Sequence, residues 1–212
     1  MSRTTEFIVV RHGETAWNAE ARIQGHLDSP LNEEGLAQAL LLGDRLARED
    51  FSRLYSSDLG RALQTVQPIA DRSDHRALID ARLRERNLGV FQGLTGGECE
   101  RHFPEHYARF RERDPDHVIP GGESPRQVYE RVSATFAALV NAHAGARIVV
   151  VTHGGVLDAL YRFVQGVPLQ RPRDFPIFNA SLNAVRCIDG HWSIERWGDI
   201  SHLTRDAALD DF

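Results

Sequence analysis

Lysine is absent from this chain. All 25 basic side chains are arginine, which excludes Schiff-base chemistry and the phosphate-loop lysine of nucleotide-binding folds. What remains is a set of forked, permanently charged groups suited to gripping phosphate oxygens in pairs, although genome composition alone produces the same bias. Cysteine is scarce as well: Cys99 and Cys187 provide no disulfide framework, and their separation fits no zinc spacing. No apolar run approaches the roughly 18 residues of a membrane helix, and Met1-Ser2-Arg3-Thr4-Thr5-Glu6 lacks an apolar signal core. A cytoplasmic protein with no membrane partner is the expectation. A formal net charge of −5 lacks the basic footprint of nucleic-acid binders, so no nucleic-acid partner is expected either.

No Pro/Ser/Gly-rich linker or repeat divides the 212 residues, so a single domain over residues 1–203 is expected, followed by an acidic tail over 204–212. Hydrophobic periodicity predicts a helix over residues 33–48, capped by Asn32, with Leu36, Leu40, Leu46 and Ala47 toward the core. A short strand over 53–56 then feeds a helix whose apolar stripe is Leu59, Leu63, Val66 and Ile69, with Arg61 in its first turn. A third strand is expected at 77–79, and a helix bent at Pro104 within an irregular segment over 93–120. Ser124-Pro125-Arg126-Gln127 is a capping box opening another helix, and residues 181–187 and 192–197 read as a hairpin turning at Asp189-Gly190.

Twice, a β-branched run ends in a histidine and glycine. Phe7-Ile8-Val9-Val10 leads into Arg11-His12-Gly13, and Ile148-Val149-Val150-Val151 into Thr152-His153-Gly154-Gly155. Such runs read as buried parallel strands opening into helices, and ligands collect beyond the carboxyl ends of those strands. Both imidazoles are therefore predicted to reach one edge, where a phosphoryl group could sit between them. A neutral imidazole there can attack phosphorus, while Arg11, Arg61 and the amides following Gly13 and Gly154 hold the equatorial oxygens. Glu85, past the third strand on a glycine-bounded loop, is the candidate proton donor, with Glu14 and Glu98 as alternatives. Cys99, His102 and His106 lie at near-helical spacing, but Pro104 disturbs that geometry, and no metal site is expected.

The same stretches resemble the histidine phosphatase, or phosphoglycerate mutase-like, superfamily. Its Arg-His-Gly-Glu-Thr signature stands at residues 11–15, and the likeness continues in family order. It runs through Trp17-Asn18, Gln24-Gly25, Leu31-Asn32-Glu33-Glu34-Gly35, Ser56-Ser57-Asp58-Leu59-Gly60-Arg61-Ala62, Leu83-Arg84-Glu85, Gly121-Gly122-Glu123-Ser124 and Thr152-His153-Gly154-Gly155. What the resemblance implies is a three-layer α/β/α fold with a mostly parallel sheet flanked by helices, and catalysis without metal or other cofactor. It also implies that His12 is the phosphorylated nucleophile, that Arg11, Arg61 and His153 form the phosphate pocket, and that Glu85 is the acid. Asn18, Gln24 and Gly25 match positions that touch phosphate or substrate, although Asn18 equally reads as a cap and the other two as loop-shaping residues.

The resulting expectation is a metal-independent phosphomonoester hydrolase acting on a small phosphorylated molecule through a phosphohistidine. Two alternatives accompany it: a cofactor-dependent phosphoglycerate mutase, and a non-catalytic phosphate sensor on the same fold. Substrate choice is assigned to residues 93–120 and 175–179, where side chains vary without disturbing the phosphate pocket. If copies associate, a homodimer is the first arrangement to expect.

Overall fold

A computed structural model describes residues 4–203; the acidic tail over 204–212 lies outside the described residues. Strands β1 (Thr4–Arg11), β2 (Arg53–Ser56), β3 (Ala77–Ile79), β4 (Arg147–Thr152), β5 (Leu182–Ile188) and β6 (His191–Asp199) form one sheet in the order β3-β2-β4-β1-β5-β6. The first four in that order run parallel. The closing hairpin adds β5 and β6 antiparallel, turning at Asp189 and Gly190 with φ of 48° and 84°, the left-handed pair that a tight hairpin requires.

Helices cover both faces, which is why β1 and β4 are apolar without alternation. Ile148 and Val150 face one core with Phe7 and Val9, against α6 (Pro125–Ala142) and α7 (Gly154–Gln165). Val149 and Val151 face the opposite core with Val10, against α2 (Glu33–Leu46) and α3 (Gly60–Ser73). The expected three-layer arrangement is therefore present. A short helix, α1 (Ala16–Ala19), follows β1. The irregular segment divides at Pro104 into α4 (Gly96–His102) and α5 (Pro104–Arg111), which bury Phe91, Cys99 and Ile119 in a small core of their own.

Helix α2 differs from expectation in phase. Leu36 and Leu40 are 48% and 47% exposed and Ala47 is exposed too, whereas Gly35, Gln38, Ala39, Leu42, Gly43 and Leu46 are buried. The inward stripe carries two glycines and a glutamine because the backbone is approached closely: a Cβ on Gly13 would stand 2.5 Å from the Gly35 carbonyl oxygen. Apolar counting follows the leucines and misses a face selected for small size. On α3, Leu63 is likewise half-exposed, while Leu59, Val66 and Ile69 are buried.

Candidate active site

Register brings the two histidines together. Arg11 and Thr152 are partners on β1 and β4, so His12 and His153 leave the sheet side by side, and their ring centroids stand 5.2 Å apart. His12 Nδ1 faces the Gly13 carbonyl at 2.8 Å. A carbonyl only accepts, so this nitrogen carries the proton and donates, leaving the Nε2 lone pair free. Into that lone pair Arg61 Nε donates at 3.2 Å. Burial, then the positive charges of Arg61 and Arg11, holds the His12 imidazole well below its ordinary pKa. Burial and Arg61 do the same to His153. Both rings are neutral.

Arg61 is itself buried and fixed by acceptors on a loop. Its guanidinium donates to the carbonyls of Gly25 and Leu27 and to Asp28 Oδ1, at 2.8, 3.2 and 3.2 Å. Gly25, at φ +58°, thus serves the site through its backbone as well as lining it. Arg11 donates to the Ile177 carbonyl at 2.9 Å. His153 caps α7, pairs through Nε2 with Ser57 Oγ at 2.8 Å, and has a buried Nδ1 with no hydrogen-bond partner among the described residues.

Glu85 stands across from this group. Its carboxylate accepts from the Gly155 amide through both oxygens, at 3.1 and 3.0 Å, and from the Arg86 amide at 2.7 Å. A Cβ on Gly155 would meet that carboxylate, so any other residue at this step of α7 would displace Glu85 from its amide bonds. Of the three carboxylates that the sequence leaves open, only Glu85 lines the cavity. Glu14 accepts from Asn32, and Glu98 pairs with Arg22.

Arg11, His12, Arg61 and Glu85 line a cavity of about 420 Å³, whereas His153 is fully buried and is not part of its lining. Asn18, Gln24 and Gly25 line the cavity as well. Asn18 also closes a capping box with Thr15, which occupies its Oδ1, while the buried Oε1 of Gln24 has no partner among the described residues. Gly154 is buried in the first turn of α7, and it is Gly155 that reaches the wall. The expected anion-holding amides are committed elsewhere: the Glu14 amide to Gln38 Oε1 at 2.9 Å, and the Gly155 amide to Glu85.

Arg86, Tyr107, Phe110, Arg113 and His117 also line the cavity. Residues 175–179 do not line it: Phe175 and Ile177 belong to the core, and Asn179 is buried against His12. Among the missed residues, Arg86 had the signal of adjacency to Glu85, but Arg113 lies in a turn at φ 57° that no periodicity marks. Burial pushes the Arg86 guanidinium down to about 10, against the opposing pull of Glu123 and Glu85.

No helix among the described residues is long and apolar enough to cross a membrane. Nor does any group of three or more His, Cys, Asp or Glu among them have an arrangement that could hold a metal ion.

Residues 7–200 match the family model described as the histidine phosphatase superfamily, branch 1. The chain is 46% identical over 202 residues to a phosphoglycerate mutase-like protein 4 from Arabidopsis thaliana, covering 93% of this chain and 86% of the relative. It is 42% identical over 207 residues to a metal-independent phosphoserine phosphatase from the same plant, covering 96% and 85%. A solved phosphoserine phosphatase from Entamoeba histolytica, 26% identical, superposes with a TM-score of 0.85 over 94% of this chain and 99% of its own. With matching fold, ordered motifs and a family model spanning nearly the whole sequence, this chain belongs to the histidine phosphatase superfamily.

Proposed function

We propose that the protein is a metal-independent phosphomonoesterase that works through a phosphohistidine on His12. The observation that carries this reading is the state of the His12 ring: Nδ1 is tied to the Gly13 carbonyl and Nε2 keeps its lone pair toward Arg61. That is the protonation pattern of a nucleophile.

In the first step His12 Nε2 attacks phosphorus, the bond to the ester oxygen breaks, and Glu85 delivers its proton to the departing alkoxide. Arg11, Arg61 and the Nδ1 of His153 hold the equatorial oxygens while charge develops on them. In the second step water attacks the phosphohistidine and Glu85 takes its proton back, releasing phosphate and neutral His12. Asn18 and Gln24 supply side-chain amides along the substrate's path, and Gly25 and Gly155 shape it through their backbones. Two permanently charged guanidiniums at the phosphate end do the work that a cation does elsewhere, so no metal is required.

Arg86 and Arg113 line the same cavity as Arg11, His12, Arg61 and Glu85, together with Tyr107 and Phe110, and supply positive charge for a leaving group. We assign the substrate to small phosphomonoesters whose alcohol portion carries a carboxylate. The relatives named for phosphoserine point the same way. The relative named phosphoglycerate mutase-like keeps a second reading open, phosphoryl transfer between two positions of a phosphoglycerate.

A phosphate-release screen over a library of phosphorylated metabolites, with acid-labile label trapped on His12 after rapid quenching, tests the proposal. Release from carboxylated esters with label on His12 is expected. Interconversion of 2- and 3-phosphoglycerate without phosphate release would install the mutase instead, and phosphate binding without turnover of any ester would make the protein a sensor.

A further inference from the structure

On its Nδ1 side the nucleophile is held by a peptide carbonyl rather than by a carboxylate, and the two peptide units that follow His12 are each bonded at both ends. The peptide joining His12 to Gly13 has its carbonyl bonded by Asn179 Nδ2 at 3.0 Å and its amide bonded to Thr65 Oγ1 at 3.0 Å. In the next peptide, the Gly13 carbonyl accepts the His12 Nδ1 proton at 2.8 Å, while the Glu14 amide donates to Gln38 Oε1 at 2.9 Å. Gln38, Thr65 and Asn179 come from α2, α3 and the loop before β5, and all three are buried.

These polar groups are costly where they stand. Gln38 Nε2 and Asn179 Oδ1 are buried with no hydrogen-bond partner among the described residues, a burial penalty that a core chosen for stability alone avoids. Gln38 also occupies an inward position of α2 where the neighbouring inward residues, Ala39 and Leu42, are apolar. A buried polar residue retained against such a penalty marks a functional constraint.

We propose that Gln38, with Thr65 and Asn179, is a positioning residue that fixes the tautomer and aim of His12. Gln38 Oε1 accepts from one end of the Gly13–Glu14 peptide, which polarises the peptide and makes its carbonyl a stronger acceptor for the His12 Nδ1 proton. The proton stays on Nδ1 and the lone pair stays on Nε2. In triads a carboxylate orients the imidazole and stabilises its cation; here a neutral amide orients it without adding charge, so the ring stays a free base between two arginines. Access for this contact comes from the paired glycines, since a Cβ on Gly35 would collide with the Glu14 carbonyl.

This inference rests on His12 being the nucleophile, and the experiment separates the two. Wild-type enzyme is first quenched to confirm label on His12; label elsewhere overturns the parent reading and this one with it. Gln38→Met, similar in length but without an acceptor, is then compared with Gln38→Glu, which keeps one. For Gln38→Met, kcat should fall about ten- to hundredfold, the size seen when outer partners of oriented histidines are removed, with KM within about twofold. Gln38→Glu should keep more of kcat, and its carboxylate should move the acid limb of the kcat profile to higher pH. Wild-type kcat in the Met variant, or equal losses in both, overturns the proposal. Should Gln38→Met not fold, Thr65→Val, which preserves shape and removes the bond to the Gly13 amide, must show the same loss of kcat with KM retained; unchanged kcat there is equally fatal.

Discussion

Arg61 Nε donates to His12 Nε2 across 3.2 Å in a site where both side chains are buried. Such a bond exists only while the imidazole is neutral, since a protonated Nε2 would oppose a second donor. In the proposed mechanism the arginine thus excludes the proton that would disable the nucleophile, and the same cation is in place for the phosphoryl oxygens.

A pH dependence of stability follows from that exclusion. His12 and His153 both stand well below the ordinary value of 6.5 in the folded protein, chiefly through burial. Above pH 6.5 they are neutral folded or unfolded and contribute no slope. As pH falls below 6.5 the unfolded chain binds protons that the folded chain refuses, so stability is lost at up to about 1.4 kcal/mol per pH unit for each ring. His117, His143 and His202 are also lowered by burial and add in the same direction. Urea midpoints at pH 7.5, 6.5 and 5.5 should fall with acid, and His153→Gln should reduce the slope by about one proton. A slope indifferent to that substitution would contradict the burial of a neutral ring.

His12→Ala should lower kcat by at least about a thousandfold, since the covalent route is lost while phosphate binding survives. Although His12 lines the cavity, it is 2% exposed, so the variant should also lose about 1–3 kcal/mol of stability through unsatisfied partners. Kinetics and melting on the same preparation separate the two effects. Near-normal turnover would remove His12 as nucleophile.

Much of this was legible in the sequence for a simple reason. The sheet edge that carries His12, Arg61 and His153 is set by apolar runs and helix starts, which are local signals, and parallel pairing of β1 with β4 follows from their burial on both faces. Glu85 was readable by position past β3 and preferred over Glu14 and Glu98 on that ground; the structure adds that of the three only Glu85 lines the cavity. What stayed hidden has no periodicity: the glycine-faced contact that buries Gln38, the turn that presents Arg113, and the amides after Gly13 and Gly154 that other groups occupy. Those features are pairings between distant segments, and composition carries no record of them.

Glu85→Gln keeps the oxygen that accepts from Gly155 and removes the proton to be delivered. Alkyl phosphates should therefore slow by about a hundredfold or more, the usual scale of general-acid catalysis, whereas activated aryl phosphates, whose leaving groups need little protonation, should slow much less. Measured kcat across leaving groups of graded basicity decides it. Equal slowing would transfer the role to another acid.

Prolonged incubation with a strong chelator should leave kcat within about twofold, because the charge on the phosphoryl group is met by Arg11 and Arg61. A loss that added divalent metal restores would overturn the metal-independent mechanism.

Arg113 offers the sharpest test of substrate class. It lines the cavity, and its one ion pair among the described residues is a long 3.8 Å contact to Asp158. Replacing it by leucine removes a charge-assisted bond to a substrate carboxylate, of about 1.5–3 kcal/mol, and so should reduce kcat/KM for carboxylated esters by roughly ten- to hundredfold. For an ester lacking a carboxylate, such as an aryl phosphate, the loss should be several times smaller, because the reacting end is unchanged. Specificity constants for the two substrates in both proteins give the answer as a ratio. If that ratio does not move, the leaving group's charge is read elsewhere in the cavity or not at all, and the assignment to carboxylated phosphomonoesters falls.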